Sequence, residues 1–156
     1  MDLRGAVVAV TGASRGIGLA VARELERRGA TVAASSRSGV EGTEVVDLRH
    51  DGAVATWVSS IVSEHGRIDA VVHAAGVAED PGPPEGLDPG VFARIIDVNL
   101  AGTFRLLHAA LPHLKRREDA RIVVVASRAA RRAHPLLSAY SASKFGTLGL
   151  CQAVAR

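Results

Sequence analysis

Short, nearly all-apolar runs rich in valine alternate in this chain with longer segments whose apolar residues recur at the helical period. Residues 6–11, 31–35, 44–46, 70–73 and 121–126 read as strands, and 17–28, 51–65, 89–117 and 138–156 read as helices. Strands that are apolar on both sides need cover on both faces, which helices between successive parallel strands supply. The expectation is an α/β fold, a doubly wound parallel sheet with right-handed crossovers. Residues 81–90 are the clearest loop, rich in proline and glycine, and Asp88 before Pro89 suits a helix N-cap followed by proline at the first helical position. Pro112 falls inside the 89–117 segment and is expected to bend or locally break it. A chain of 156 residues with no internal repeat or linker fits one domain spanning 1–156.

Composition narrows the function classes. Apolar residues make up 47% of the chain and the mean hydropathy is +0.18, which excludes a disordered polymer. No uninterrupted apolar run approaches the roughly 18 to 20 residues of a membrane span, and the N-terminal residues show no signal-peptide pattern. Cys151 is the single cysteine, so no internal disulfide is possible. A cytoplasmic protein is expected, with Cys151 as a packing residue. The formal charge of +3 raises the question of an acidic partner, with basic clusters at Lys115-Arg116-Arg117 and at Arg128, Arg131 and Arg132. Few aromatics are available to stack bases and no nucleic-acid motif is present, so nucleic-acid binding is not expected.

Thr11-Gly12-Ala13-Ser14-Arg15-Gly16-Ile17-Gly18 directly follows the first strand and opens the first helix. Backbone N–H groups and the helix dipole at such a place can receive a pyrophosphate. Gly12, Ser14, Arg15, Gly16, Ile17 and Gly18 are therefore candidate dinucleotide contacts. Gly12 would permit the tight turn, Gly16 a close approach of backbone to phosphate, and Gly18 close packing of helix on strand. An ordinary glycine-rich turn would use the same residues; its place at the end of the first strand favours the nucleotide. At the end of the second strand a carboxylate would bond a ribose 2'-hydroxyl and repel a 2'-phosphate. The sequence there is Ser35-Ser36-Arg37, with no carboxylate. Arg37 with Arg15 can clamp a phosphate, so NADP(H) is expected over NAD(H), although solvated arginines would look the same.

Tyr140 is the only tyrosine, and Lys144 is one of two lysines beside seventeen arginines. On a helix, residues four apart share a face, and an ammonium is a compact point charge where a guanidinium is a broad fork. A free phenol ionises near pH 10, and a full positive charge about 4 Å away, at an effective dielectric near 20, favours ionisation by roughly 4 kcal/mol. Such a pair makes a usable acid or base near neutrality. Taken alone, the spacing also fits a core aromatic beside a solvated charge.

With Asn99 and Ser127 added to these elements, the chain resembles the classical short-chain dehydrogenase/reductase family from about Leu3 onward. The family's TGxxxGxG turn stands at 11–18 and its YxxSK element at 140–144; its serine thirteen residues before the tyrosine is Ser127, and its helix asparagine is Asn99 in Val98-Asn99-Leu100. The resemblance implies a Rossmann-type sheet on which Tyr140 exchanges a proton with a substrate oxygen while hydride moves between a nicotinamide and the substrate carbon. It implies that Lys144 holds the nicotinamide ribose and eases ionisation of the phenol, that Ser127 holds the carbonyl or hydroxyl oxygen, and that Asn99 marks a helix break with a proton-relaying water. Asp47-Leu48 resembles the family's adenine-contacting pair, although an isolated acid there also suits a loop or cap. The family's Asn-Asn-Ala-Gly is here His73-Ala74-Ala75-Gly76, which keeps Ala74, Ala75 and Gly76 small beside the adenosine ribose. His73 reads as a buried, hydrogen-bonded strand residue rather than a base. The other histidines show no metal-ligand spacing, and no metal is expected.

Members of the family usually continue well beyond the lysine, so the resemblance implies a sheet lacking its last strands and an exposed edge prone to association. The expected activity is NADP(H)-dependent interconversion of a carbonyl and a secondary alcohol on a small-molecule substrate. A non-catalytic dinucleotide-binding or assembly module is the alternative. Arg128, Arg131, Arg132 and His134, between Ser127 and Tyr140, suit either an anionic group of a substrate or plain solvation. The resemblance also implies homodimers or homotetramers through the helices around 89–117 and 138–156.

Overall fold

Five parallel strands form one sheet in the computed structural model, which describes residues 1–40, 42–79 and 81–155. The strands are β1 (Val7–Thr11), β2 (Thr31–Ser36), β3 (Glu44–Val45), β4 (Ala70–His73) and β5 (Arg121–Val124), in the order β3-β2-β1-β4-β5. Register pairs Val8 with Val32 on one side and with Ala70 on the other, and Val72 with Val123. The helices are α1 (Gly16–Arg27), α2 (Asp51–His65), α3 (Pro89–Ile96), α4 (Gly102–Leu114) and α5 (Ser138–Val154). This is the doubly wound Rossmann arrangement in which the strand order reverses between β1 and β4. No helix among the described residues is long and apolar enough to cross a membrane.

Two compact units divide the chain: Met1–Ala75 with Arg105–Val125, and Gly76–Phe104 with Ala126–Arg156. The first holds the whole sheet. The period of two along a strand sends Val7, Ala9 and Val71 to one face, where they pack with Val54, Trp57, Val58 and Ile61 of α2 and with Leu106, Ala110 and Leu114 of α4. It sends Val8, Val10, Ala70 and Val72 to the other face, against Ala22, Val21 and Leu25 of α1. Each large side chain so buried contributes roughly 1.5–3 kcal/mol. The α2 residues recur at i, i+3, i+4 and i+7, and the helix ends where Gly66, at φ +72°, turns its N–H back to the Val62 carbonyl. Asp69, buried at the start of β4, accepts from the Val7 N–H at 2.9 Å and from Arg67 and Arg117. Burial alone would raise its carboxyl; the Arg67 guanidinium, the Val7 N–H and Arg117 outweigh that and hold it below its ordinary value.

In the second unit α3 starts as the sequence suggests, with the Asp88 carboxylate accepting from the Gly90 and Val91 N–H groups and Pro89 in the first turn. The long helix expected over 89–117 is interrupted. A π-helical turn over Asp97–Ala101 separates α3 from α4, and the helix ends at Leu114. The break falls at Asn99, where the resemblance implies one, and not at Pro112, which α4 passes through. Only two helical residues follow Pro112, so little ladder remains for it to disrupt. The 81–90 loop contains a 3-10 turn at Pro84–Gly86 and yields Gly90 to α3. Several strand and helix ends move by one or two residues: β1 starts at Val7, β2 runs to Ser36, β3 stops at Val45, β5 stops at Val124, α1 spans Gly16–Arg27 and α5 ends at Val154. Arg156, expected in the last helix, lies outside the described residues.

Candidate active site

The glycine turn belongs to the first unit and owes its shape to missing side chains. Gly12 has φ +72°, and a Cβ built on it would stand 2.6 Å from the Ala75 nitrogen, so the turn and the end of β4 approach closer than any side chain allows. A Cβ on Gly18 would meet the Gly12 carbonyl oxygen at 2.2 Å, which seats α1 directly on the turn. Gly16 differs: at φ +57° it faces open space, with nothing within 4 Å of a Cβ position. The turn is further fixed by Ala13 N–H to the Ser35 carbonyl and Ala74 N–H to the Thr11 carbonyl. His73 is buried and its Nδ1 lies 2.6 Å from Thr11 Oγ1, the hydrogen-bonded strand role expected for it.

These residues fit a dinucleotide phosphate. Arg15 at the N-cap of α1 makes no side-chain cap bond and no acid stands in the first turn, so the helix start carries positive partial charge without a carboxylate to answer it. Ser14 is half-buried at this start; Arg15 and Ile17 are exposed, Ile17 at 60%. Arg37, just past β2, is exposed too. Ser36 is occupied locally: its Oγ lies 2.8 Å from Thr43 Oγ1 and accepts from the Gly39 N–H. Asp47 and Leu48 follow β3. The Asp47 carboxylate is taken up by Arg49, whose Nη2 stands at 2.6 Å, and the guanidinium holds that carboxyl well below its ordinary range, at about 2. Arg105 donates to the Leu48 carbonyl and pairs with Asp51. Arg49 and Arg105 were not legible as site supports, because neither spacing nor composition marks them.

The four candidate catalytic residues all fall in the second unit. Asn99 is 1% exposed, and its side chain is engaged at both ends: Oδ1 accepts from the Val77 N–H at 2.8 Å, while Nδ2 donates to the Val77 carbonyl at 2.8 Å and to Ser143 Oγ at 3.0 Å. Ser143 in turn donates to the Tyr140 carbonyl at 2.7 Å. The Asn99 carbonyl, turned aside by the π-helical turn, accepts from Thr103 Oγ1 at 2.7 Å and from Thr147 Oγ1 at 3.1 Å. Asn99 thus ties the broken helix to the Tyr140–Lys144 stretch of α5. Ser143 and Thr147 escaped the sequence reading. Two hydroxyl residues four apart inside a helix, in a register that can face Asn99, were the available signal.

Lys144 is 6% exposed, and its Nζ stands 5.8 Å from the centroid of the half-buried Tyr140 ring. Burial pushes its amine below the ordinary lysine value, while Cys151 pulls it slightly back; burial likewise pushes the Cys151 thiol up. A Cβ on Gly76 would lie 3.3 Å from Asn99 Oδ1 and 3.4 Å from Lys144 Nζ, so Gly76, Asn99 and Lys144 close on one spot. Ser127 has extended backbone and caps the 3-10 turn Arg128–Ala130, its Oγ accepting from the Ala129 N–H at 3.1 Å. That turn packs on α5. No group of three or more potential metal ligands occurs among the described residues.

A family model described as short chain dehydrogenase matches residues 6–156. The chain is 38% identical to a 3-dehydrosphinganine reductase of Arabidopsis thaliana, over 94% of this chain and 49% of that protein. It is 34% identical to human 17-beta-hydroxysteroid dehydrogenase type 1, over 96% of this chain and 51% of the relative. Ligand-free aldohexose dehydrogenase from Thermoplasma acidophilum superposes with a TM-score of 0.92 at 35% identity, over 99% of this chain and 62% of that one. The chain spans from 48% to 64% of the length of the curated relatives it matches. With the sheet order, the glycine turn and the tyrosine–lysine helix in place, this chain belongs to the short-chain dehydrogenase/reductase family.

Proposed function

We propose that this chain is the dinucleotide-binding and proton-transferring part of an NADP(H)-dependent oxidoreductase that interconverts a carbonyl and a secondary alcohol, with Tyr140 as general acid and base. The observation that carries the reading is the Lys144 amine, buried at energetic cost beside the Tyr140 ring. A lysine kept in such a place departs from what stability favours, which is a mark of functional sites. Bound NADP(H) would supply the hydride. Tyr140 would give a proton to the forming alkoxide in reduction and take it in oxidation. Lys144 would favour the phenolate, Ser127 would hold the substrate oxygen, and Asn99 would fix the helix that aims them. Gly12, Ser14, Arg15, Gly16, Ile17 and Gly18 would cradle phosphate, with Asp47, Leu48, Ala74, Ala75 and Gly76 along the adenosine. The absence of a carboxylate at Ser35-Ser36-Arg37 supports NADP(H), with Arg15 and Arg37 on the 2'-phosphate.

The single half-buried cysteine supports a reducing, cytoplasmic setting. All three phenylalanines, Phe92, Phe104 and Phe145, are 42% or more exposed and lie on α3, α4 and α5, which supports pairing of copies through these helices. The test of function is NADPH and NADH consumption with a panel of ketones, for wild type and Tyr140→Phe. The proposal expects NADPH-dependent turnover that drops by about 10²- to 10⁴-fold in the variant, with cofactor affinity kept. Equal rates, or tight cofactor binding without turnover in wild type, would favour a dinucleotide-binding module instead.

A further inference from the structure

The 3-10 turn that begins on Ser127 carries a charge pattern that the reductase reading leaves unused. Ala129 and Ala130 are buried and anchor it, Ser127 Oγ caps it, and the Arg131 and Arg132 N–H groups both return to the Arg128 carbonyl at 3.0 Å. Arg128, Arg131 and Arg132 therefore stem from one hydrogen-bonded turn of the chain. All three are exposed, and none forms an ion pair or side-chain hydrogen bond with a described residue. The stretch from Ser127 to Tyr140 contains no aspartate or glutamate, whereas ordinary protein surfaces intersperse both signs. The segment after the turn is held as well: the His134 N–H donates to Ser141 Oγ of α5, and Leu136, at φ +65°, accepts from the Gly82 N–H. A non-glycine residue in the left-handed region is strained.

We propose that the carbonyl substrate itself carries an anionic group, a carboxylate or phosphate, which the Arg128/Arg131/Arg132 turn binds while Ser127 holds the reacting oxygen. The inference rests on the reductase reading above and adds the substrate class. Binding is through charge-assisted, bidentate hydrogen bonds, for which guanidinium is suited.

The probes are 5-oxohexanoate and 7-oxooctanoate with their methyl esters, assayed with the intact protein and NADPH at low and moderate salt. In wild type each acid should exceed its ester by about 10- to 100-fold in kcat/KM, the scale of one or two bonds to a charged group, chiefly through KM and weakening with salt. In the variant Arg128→Gln/Arg131→Gln/Arg132→Gln the preference should fall within about threefold, while the ester is reduced as before. Arg131→Glu alone should also lose it, should the triple variant fold poorly. An acid preference that is absent in wild type, or that survives in these variants, overturns the proposal. Calorimetric binding of acid and ester to the NADPH-loaded protein separates this from failure of the reductase reading. Without turnover, tighter binding of the acid that vanishes in the variants still supports the anion site, and equal binding overturns it.

Discussion

The glycine turn of the first unit and the Asn99 cluster of the second are built in opposite ways. The turn is made by subtraction: Gly12 and Gly18 let backbone approach backbone where a methyl group would collide. The cluster is made by saturation: Asn99 uses both ends of its amide, and its carbonyl takes hydroxyls from Thr103 and Thr147. A site built from backbone is sensitive to any added atom and indifferent to the chemistry of side chains around it. A site built from a polar network is sensitive to any lost atom, because each deletion leaves a buried partner unsatisfied.

The largest effect should follow from adding an atom where there is no room. Gly18→Ala forces the turn open and should cost about 3 kcal/mol, in line with overpacking a tight site, and weaken binding of the nicotinamide dinucleotide by about 100-fold or more, the affinity equivalent of that energy. Denaturant titration and cofactor fluorescence check both. Gly16→Ala is the control that sharpens the contrast, since it meets nothing and should cost only about 1–2 kcal/mol of left-handed backbone strain. Next in size, Asn99→Ala removes three side-chain hydrogen bonds and orphans the Val77 amide and carbonyl. A loss of roughly 2–3 kcal/mol is expected, and turnover should fall more than cofactor affinity. Thr147→Val deletes one shared hydroxyl and should cost about 1 kcal/mol. A value near zero would show the Asn99 carbonyl to be adequately served by Thr103 alone.

The smallest effect is acid sensitivity in the first unit. Asp47 is held at about 2 by Arg49, so its contribution is present above the ordinary carboxylate range and is lost as pH falls from about 4 through about 2. The pair is partly exposed, which limits it to less than about 1 kcal/mol. Asp47→Asn should flatten that part of the stability–pH curve. Lys144 runs the other way. Burial lowers its folded-state value, so the unfolded chain binds more protons in the alkaline range and stability rises with pH toward the ordinary lysine value. Lys144→Met should therefore unfold at a higher denaturant concentration at neutral pH while losing turnover.

Sheet, helices and glycine turn were legible because each rests on a local rule: the short, unbroken apolar run of Val7 to Val10, the i, i+3, i+4, i+7 face of Val54 to Ile61, the cap at Asp88. The break at Asn99 was not visible in periodicity. Residues 89–117 keep an apolar stripe, and the partners that hold Asn99 at the π-helical turn, Val77, Ser143 and Thr147, are distant in sequence. Pro112, the loudest local signal, had the smaller effect because it sits near a helix end. The tyrosine–lysine pair was readable from rarity and spacing; the burial that makes the amine costly, and so informative, appeared only in three dimensions.

The proposed proton transfer at Tyr140, beside the buried Lys144 amine, is tested most directly by kcat/KM for alcohol oxidation in wild type, Tyr140→Phe and Lys144→Met. The proposal predicts a fall of about 10²- to 10⁴-fold in both variants, with cofactor affinity kept in Tyr140→Phe. Wild-type rates in either variant would contradict it.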